Sequence, residues 1–184
     1  YDGEREKEAD LTIAAQFANE RNLAFLLKYT CGQVCVPIKN SRAKELGLGL
    51  MEKNPSNKKA CGFTVSVDAK EAKTGISAKD KSIVINHLIN GGIKKIVKPG
   101  HTFPLIAKND GVLEREGHTE ASLDLIRLAK LYPAAVICEL MDKERGTALR
   151  GKKLNNFIQN HKLTLIKIKD IINYRIKNDI RWTK

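Results

Sequence analysis

The sequence predicts an α+β fold, a single compact domain with a mixed sheet flanked by helices. Three observations lead there. The chain has 184 residues, 42% of them hydrophobic, which is enough for one core and places it in the size range of one domain. Short apolar or alternating runs with strand character recur among amphipathic runs with helix spacing. The two kinds do not alternate regularly enough to argue a doubly wound parallel sheet.

The elements follow in order. Residues 10–17 (DLTIAAQF) read equally as strand or helix. Residues 19–27 have helix spacing, and 33–38 read as a strand. Residues 41–46 form the next helix, with Ser41 as its N-cap and Gly47 as its stop, because glycine readily takes the left-handed conformation of a helix end. Residues 63–67 alternate, with Phe63, Val65 and Val67 on one face and Thr64 and Ser66 on the other. Ser77 caps a helix over 79–89, and Gly91-Gly92 is a turn signal after it. Pro99-Gly100 signals another turn before a strand at 103–107. A helix at 119–131 leads to an apolar strand at 134–140. A helix at 154–161, a strand at 163–168 and a helix at 171–176 complete the series.

Composition narrows the function classes. No apolar run approaches the ~18 residues of a membrane-spanning helix, so no membrane partner is expected. The first ten residues carry five acids, the reverse of a secretory or transit leader. Opening at Tyr1-Asp2, the chain reads as a fragment lacking an N-terminal piece. Lys and Arg number 33 against 21 Asp and Glu, a net charge of +12. Residues 141–184 hold 12 basic and 4 acidic residues, whereas residues 1–140 hold 21 and 17. That C-terminal surplus alternates with apolar residues and describes a solvated face that attracts anions in general. Aromatic residues are 5% and no nucleic-acid module is recognisable, so no nucleic-acid partner is expected. Cys31, Cys35, Cys61 and Cys138 contain one C-x-x-x-C and no second pair at zinc spacing. They read as free thiols in a reducing cytoplasm, Cys35 and Cys138 as small hydrophobes.

Four segments carry residue types that do chemistry. In DGEREKEAD (2–10), Asp2, Glu4, Glu6, Glu8 and Asp10 fall at every second position with Arg5 among them. Carboxylates at that density suit a hard divalent cation, and equally a solvated acidic tail. In REGHTE (115–120), Gly117 lets the backbone approach a ligand, and His118 and Thr119 open a helix whose N–H groups and dipole favour an anion. Arg115 adds a forked cation suited to phosphate. The plainer alternative is that Thr119 only caps the helix while His118 only faces water. KPGHTF (98–103) sets a second Gly-His-Thr on a turn, whereas His87 and His161 fall inside helix-like runs. Glu139 closes an apolar run, and an acid at the end of a buried strand is costly unless paired or functional. The inventory suits metal-assisted proton chemistry on a phosphorylated substrate without fixing the reaction.

Eight segments in register then resemble one family. EREKEAD (4–10), CGQVCVPI (31–38), GFTVSVD (62–68), TGISAKD (74–80), KPGHTFPL (98–105), REGHTEA (115–121), AVICEL (135–140) and RGTALR (145–150) are similar to 3,4-dihydroxy-2-butanone 4-phosphate synthase of riboflavin biosynthesis, over nearly the whole chain. The resemblance implies a lyase that converts D-ribulose 5-phosphate to 3,4-dihydroxy-2-butanone 4-phosphate and formate with Mg2+ or Mn2+, in a cytoplasmic homodimer with shared active sites. It implies Glu6 and His118 as metal ligands. It implies Arg5, Glu6, Asp10, Thr74, Arg115, Glu116, Gly117, His118, Thr119 and Glu139 as substrate contacts. Glu139, Asp10 and His101 become the proton carriers, and Cys35 joins the catalytic set. His101 and Thr74 match positions that reach the site across a dimer interface.

Against the family's pattern, an opening strand and a preceding helix are missing before Tyr1, and many members continue into a GTP cyclohydrolase domain. Ala9 stands where glycine is common, Lys81 and Lys98 replace arginines, and Arg145 replaces an acid. These departures motivate an alternative expectation, a degenerate and catalytically weak member serving as a binding or structural partner.

Overall fold

The structure, a computed structural model, describes residues 1–3, 7–57 and 60–182. The strands of its main sheet are β1 (Asp10–Ala14), β2 (Cys35–Ile38), β3 (Val67–Ala69), β4 (Ile96–Ile106) and β5 (Ala135–Glu139). Its helices are α1 (Glu20–Tyr29), α2 (Asn40–Glu45), α3 (Ala78–Asn90), α4 (His118–Leu128), α5 (Gly151–Asn160) and α6 (Ile168–Lys177). A small ribbon pairs β6 (Met141–Asp142) with β7 (Thr147–Ala148). Across the sheet the order is β1-β5-β2-β4-β3. β2 and β4 run parallel and the other neighbouring pairs antiparallel. The α+β class with a mixed sheet and flanking helices is as the sequence predicts.

Strand alternation divides the packing. In β5, Val136 and Cys138 join the main core, whereas Ala135 packs with Ile126 of α4. The main core sets Leu23 and Leu26 of α1 and Val84, Ile85 and Leu88 of α3 around Val36 and Ile38 of β2. Each such side chain contributes about 2 kcal/mol through loss of its water-exposed surface. On α4, Ala121 packs with Ile168 and Ile171 of α6. Arg175 of α6 is fully buried and fastens this layer. Its Nη1 donates to Asp124 Oδ2 on α4 at 2.7 Å and to the Asp110 carbonyl at 2.6 Å. The Trp182 indole lies against Arg175 and donates to Asp124 Oδ1 at 2.6 Å. The helix that begins at His118 is thereby held rigidly from behind.

Helix ends follow local chemistry. Ser77 accepts the Asp80 N–H at 3.0 Å, as expected of the cap of α3. α2 ends at Gly47 (φ +60°), where the Leu48 N–H reaches the Ala43 carbonyl and the Gly47 N–H the Lys44 carbonyl, a Schellman closure. Ser41 is not the cap of α2. The first helical bond runs from the Ala43 N–H to the Lys39 carbonyl, which puts Ser41 inside the first turn.

Three expected elements come out differently. Residues 63–67 do not form a continuous strand. Phe63 and Thr64 make isolated bridges to Leu105 and Leu50, and β3 begins only at Val67. The cause is Pro104 on the facing strand, which accepts the Thr64 N–H at 3.1 Å but has no N–H to return. Pro99-Gly100 is not a turn. It lies within β4, where the register jumps from Val67 opposite Thr102 to Asp68 opposite Val97, so residues 98–101 bulge. Residues 163–168 form no strand. Their end is tied to Tyr1, whose amino group donates to the Ile166 carbonyl at 2.9 Å and whose carbonyl takes the Ile168 N–H at 3.1 Å. The ambiguous 10–17 is a strand followed by a single 3-10 turn, Ala15–Phe17. Among the described residues no helix is long and apolar enough to cross a membrane.

Candidate active site

The end of the sheet where β1 and β2 begin and β5 finishes opens into a cavity of about 310 Å³. Antiparallel pairing sets Asp10, the first residue of β1, opposite Glu139, the last of β5. Like charges facing each other across a ladder are destabilising, so the pair works against folding. Burial, and then the charges of Glu8, Cys31 and Asp10, push Glu139 up to about 7, with Arg150 opposing. A carboxyl with that value exchanges protons at neutral pH.

The acidic opening is not a loose tail at its described ends. The Asp2 N–H donates to the Glu8 carbonyl at 3.0 Å, closing the run on itself. The same carbonyl lies 3.3 Å from His118 Nε2, so the first turn of α4 is in contact with the acidic segment. Arg5 and Glu6, expected as substrate contact and metal ligand, lie outside the described residues.

His118 opens α4 and Gly117 precedes it. Arg115 folds over this start, with Nη1 2.6 Å from Glu120 Oε2. Glu120 is buried and also accepts the Lys108 N–H at 3.1 Å. A Cβ on Gly117 would overlap the Arg115 guanidinium. The glycine therefore makes room for the arginine, not directly for a ligand as the sequence reading had it. Thr119 is buried with its hydroxyl 3.0 Å from Cys61 Sγ, which leaves its backbone N–H as the group it can present at the helix start.

Asp10, Cys35, Arg115, His118, Thr119 and Glu139 all line this one cavity, joined by Glu8, Cys31, Cys61 and Cys138. Burial pushes the Cys35 thiol up to about 12, so it is a neutral thiol at ordinary pH. Cys31 lies 3.6 Å from Cys138, and the hydrogen bond from Cys138 holds its pKa below the usual thiol range, at about 6. Glu116 is exposed and lines a neighbouring cleft with Leu113, Arg115, Lys167 and Lys169. His101 and Thr74 also lie apart from the cavity, in the bulge of β4 and in the loop before α3. His101 is held by Asp68, and the Thr74 N–H donates to Asp80 at 3.2 Å.

Three contributors were not singled out by sequence reasoning: Glu120, which positions Arg115, Asp68, which holds His101, and Cys31, which raises Glu139. Glu120 and Asp68 fall within the motifs REGHTEA and GFTVSVD, but their roles depend on partners that only folding supplies. Among the described residues no three of His, Cys, Asp and Glu converge closely enough to hold a metal ion. The donor chemistry fits a hard divalent cation nonetheless, with one imidazole beside several carboxylates whose crowding lifts Glu139.

Comparison with known proteins agrees with the geometry. The family model for 3,4-dihydroxy-2-butanone 4-phosphate synthase matches residues 1–174. The chain is 46% identical over 178 residues to riboflavin biosynthesis protein RibBA of Endomicrobium trichonymphae, covering 95% of this chain and 44% of that one. It is 42% identical over 181 residues to the 3,4-dihydroxy-2-butanone 4-phosphate synthase of Helicobacter pylori, covering 97% and 53%. The chain thus spans about half the length of these curated relatives. Among solved structures, a 3,4-dihydroxy-2-butanone 4-phosphate synthase in complex with two magnesium ions superposes with a TM-score of 0.87 at 34% identity, covering 95% of this chain and 88% of that one. RibBX of A. baumannii, a two-domain synthase, gives 0.90 at 39% identity, covering 96% and 53%. By the family match, by identity and by fold, the chain belongs to the 3,4-dihydroxy-2-butanone 4-phosphate synthase family.

Proposed function

We propose that the chain carries out the reaction for which its family is named, converting D-ribulose 5-phosphate to 3,4-dihydroxy-2-butanone 4-phosphate and formate as a carbon–carbon lyase of riboflavin biosynthesis in the cytoplasm. The observation that carries this reading is the facing pair Asp10 and Glu139, with Glu139 near 7, beside a helix start suited to phosphate. Substrate and products balance without an external oxidant or reductant, so the protein has protons to move and charge to hold.

The residues divide the work. Arg115 and the first-turn N–H groups of α4 bind the phosphate, since helix geometry leaves those groups without intrahelical acceptors. Glu120 fixes the direction of the guanidinium. Glu139 takes a proton at its carboxylate and returns it, which a value near 7 permits in both directions. Asp10, facing it across the ladder, is the second carboxylate of the pair. Cys35 lines the site as a neutral thiol and limits water there. Glu6 and His118 are the residues that would hold Mg2+ or Mn2+, and the bound cation would supply Lewis acidity toward the sugar's oxygens. His101 and Thr74, which lie outside the cavity of their own chain, would serve the site of a second copy in a homodimer with shared active sites.

The test is formate release from ribulose 5-phosphate, followed by NMR, with Mg2+ and then with a chelator. Wild type should release formate only with the cation. Glu6→Ala and His118→Ala should abolish release while keeping a native circular dichroism spectrum. Chelator-insensitive turnover, or full activity in Glu6→Ala, would remove the metal assignment. A wild-type chain that folds and releases nothing would favour the catalytically weak alternative.

A further inference from the structure

The β4 bulge mounts one imidazole with unusual firmness. The Asp68 carboxylate accepts twice from His101, from its backbone N–H at Oδ1 (3.1 Å) and from ring Nδ1 at Oδ2 (2.7 Å). The His101 carbonyl is taken by Lys81 Nζ at 2.9 Å. Both supports are buried, Asp68 8% and Lys81 2% exposed, whereas the imidazole is 54% exposed. Asp68 itself is confined. Gly75 (φ +71°) packs so closely on its carboxylate that a Cβ there would overlap it. The loop carrying Gly75 is anchored in turn, with the N–H groups of Lys73, Thr74 and Gly75 all donating to Asp80. Such a mount restricts both the backbone and the ring of an exposed histidine, which a merely solvated side chain does not require.

A carboxylate can only accept, so the hydrogen in the 2.7 Å bond resides on Nδ1. The other nitrogen, Nε2, has no hydrogen-bond partner among the described residues and is left as the basic one. We propose that Asp68 is a positioning residue for the reaction, fixing His101 as the Nδ1–H tautomer so that Nε2 exchanges protons with the substrate held in the cavity of a second copy. This rests on the proposed reaction for its chemistry, and on the Asp68–His101 geometry for the tautomer. Asp68 acts through His101 and does not itself touch substrate. Lys81 holds the His101 carbonyl and leaves the ring to Asp68.

Asp68→Asn tests this, because an amide of the same shape can donate to Nδ1 and so reverse the tautomer. Long-range proton–nitrogen spectra of 15N-labelled full chain should show His101 with hydrogen on Nδ1, and on Nε2 in the variant. The variant should lose kcat on the order of 10²-fold or more, with KM changed less than about threefold. In a double-mutant cycle, Asp68→Asn should cost almost nothing further in a His101→Asn background. A purely structural role would instead multiply the two losses and leave the tautomer unchanged. A wild-type His101 with its hydrogen on Nε2, or an Asp68→Asn variant with kcat within about threefold of wild type, overturns the proposal alone. No turnover by the wild-type chain overturns the reaction itself, and with it the role given to Asp68.

Discussion

Glu139→Gln should stabilise the protein at alkaline pH while disabling it. The carboxyl of Glu139 is pushed up to about 7 because burial and the charges of Glu8, Cys31 and Asp10 oppose its ionisation. In the unfolded chain it ionises near the ordinary value, about 4.3. Between these values the folded state binds a proton that the unfolded state has lost. Stability therefore falls as pH rises through this window and levels off above about 7. The full difference corresponds to about 3–4 kcal/mol, and solvent screening of a half-buried group reduces it to about 1–2 kcal/mol. Glutamine keeps the shape and removes the charge. Thermal unfolding without divalent cations should then show Glu139→Gln above wild type by about 2–8 °C at pH 8, and level with it near pH 4.5. Formate release should fall on the order of 10²-fold or more at every pH. An equal gain at both pH values would mean that packing and not charge is responsible. No gain at pH 8 would refute the claim that Glu139 is held ionised at a cost.

Other outcomes follow from the same geometry. Glu120→Gln weakens the hold on Arg115 and should raise KM for the sugar phosphate about tenfold with a smaller change in kcat; an unchanged KM would detach Arg115 from the phosphate. Arg175→Ala removes the buried cation that pairs with Asp124 and Asp110 and should cost about 3–5 kcal/mol in urea unfolding, whereas a loss below about 1 kcal/mol would show that α6 is held by its apolar face alone. Cys31 is exposed, with its pKa drawn down to about 6, while Cys35 is pushed to about 12 and Cys138 is buried and raised. Iodoacetamide at pH 7.5 should therefore modify Cys31 at least about tenfold faster than the other two, read by peptide mass spectrometry; faster modification of Cys35 would contradict its buried, neutral state.

Local signals carried much of this in the sequence. Ser77 and Gly47 bound their helices as their chemistry dictates, and the apolar run 134–137 with a terminal acid gave both β5 and its functional end. Failures arose where a distant partner decides. The alternation at 63–67 is real, yet Pro104 on the facing strand interrupts the ladder. The apolar residues at 163–168 look like a strand, but among the described residues they pair with no strand of the sheet and instead face β1 across a cavity. Pro99-Gly100 has the composition of a turn and instead sits in a bulge that register alone explains. At the site, Asp10, Arg115, His118 and Glu139 were legible from charge, glycine placement and helix start. Contacts between distant residues were not, because Asp68 meets His101 across 33 residues and Cys31 meets Cys138 across 107. Glu116, drawn in by its motif, is exposed and lines a neighbouring cleft that shares Arg115 with the cavity.

The central claim is that the acidic opening segment and the start of α4 share one divalent cation beside the Asp10–Glu139 pair. Anomalous scattering from crystals soaked in Mn2+ tests it directly. A peak is expected at the wall of the cavity, bonded to the His118 imidazole and Glu6 and lost in His118→Ala. A peak at any other place, or none at millimolar Mn2+, would contradict it.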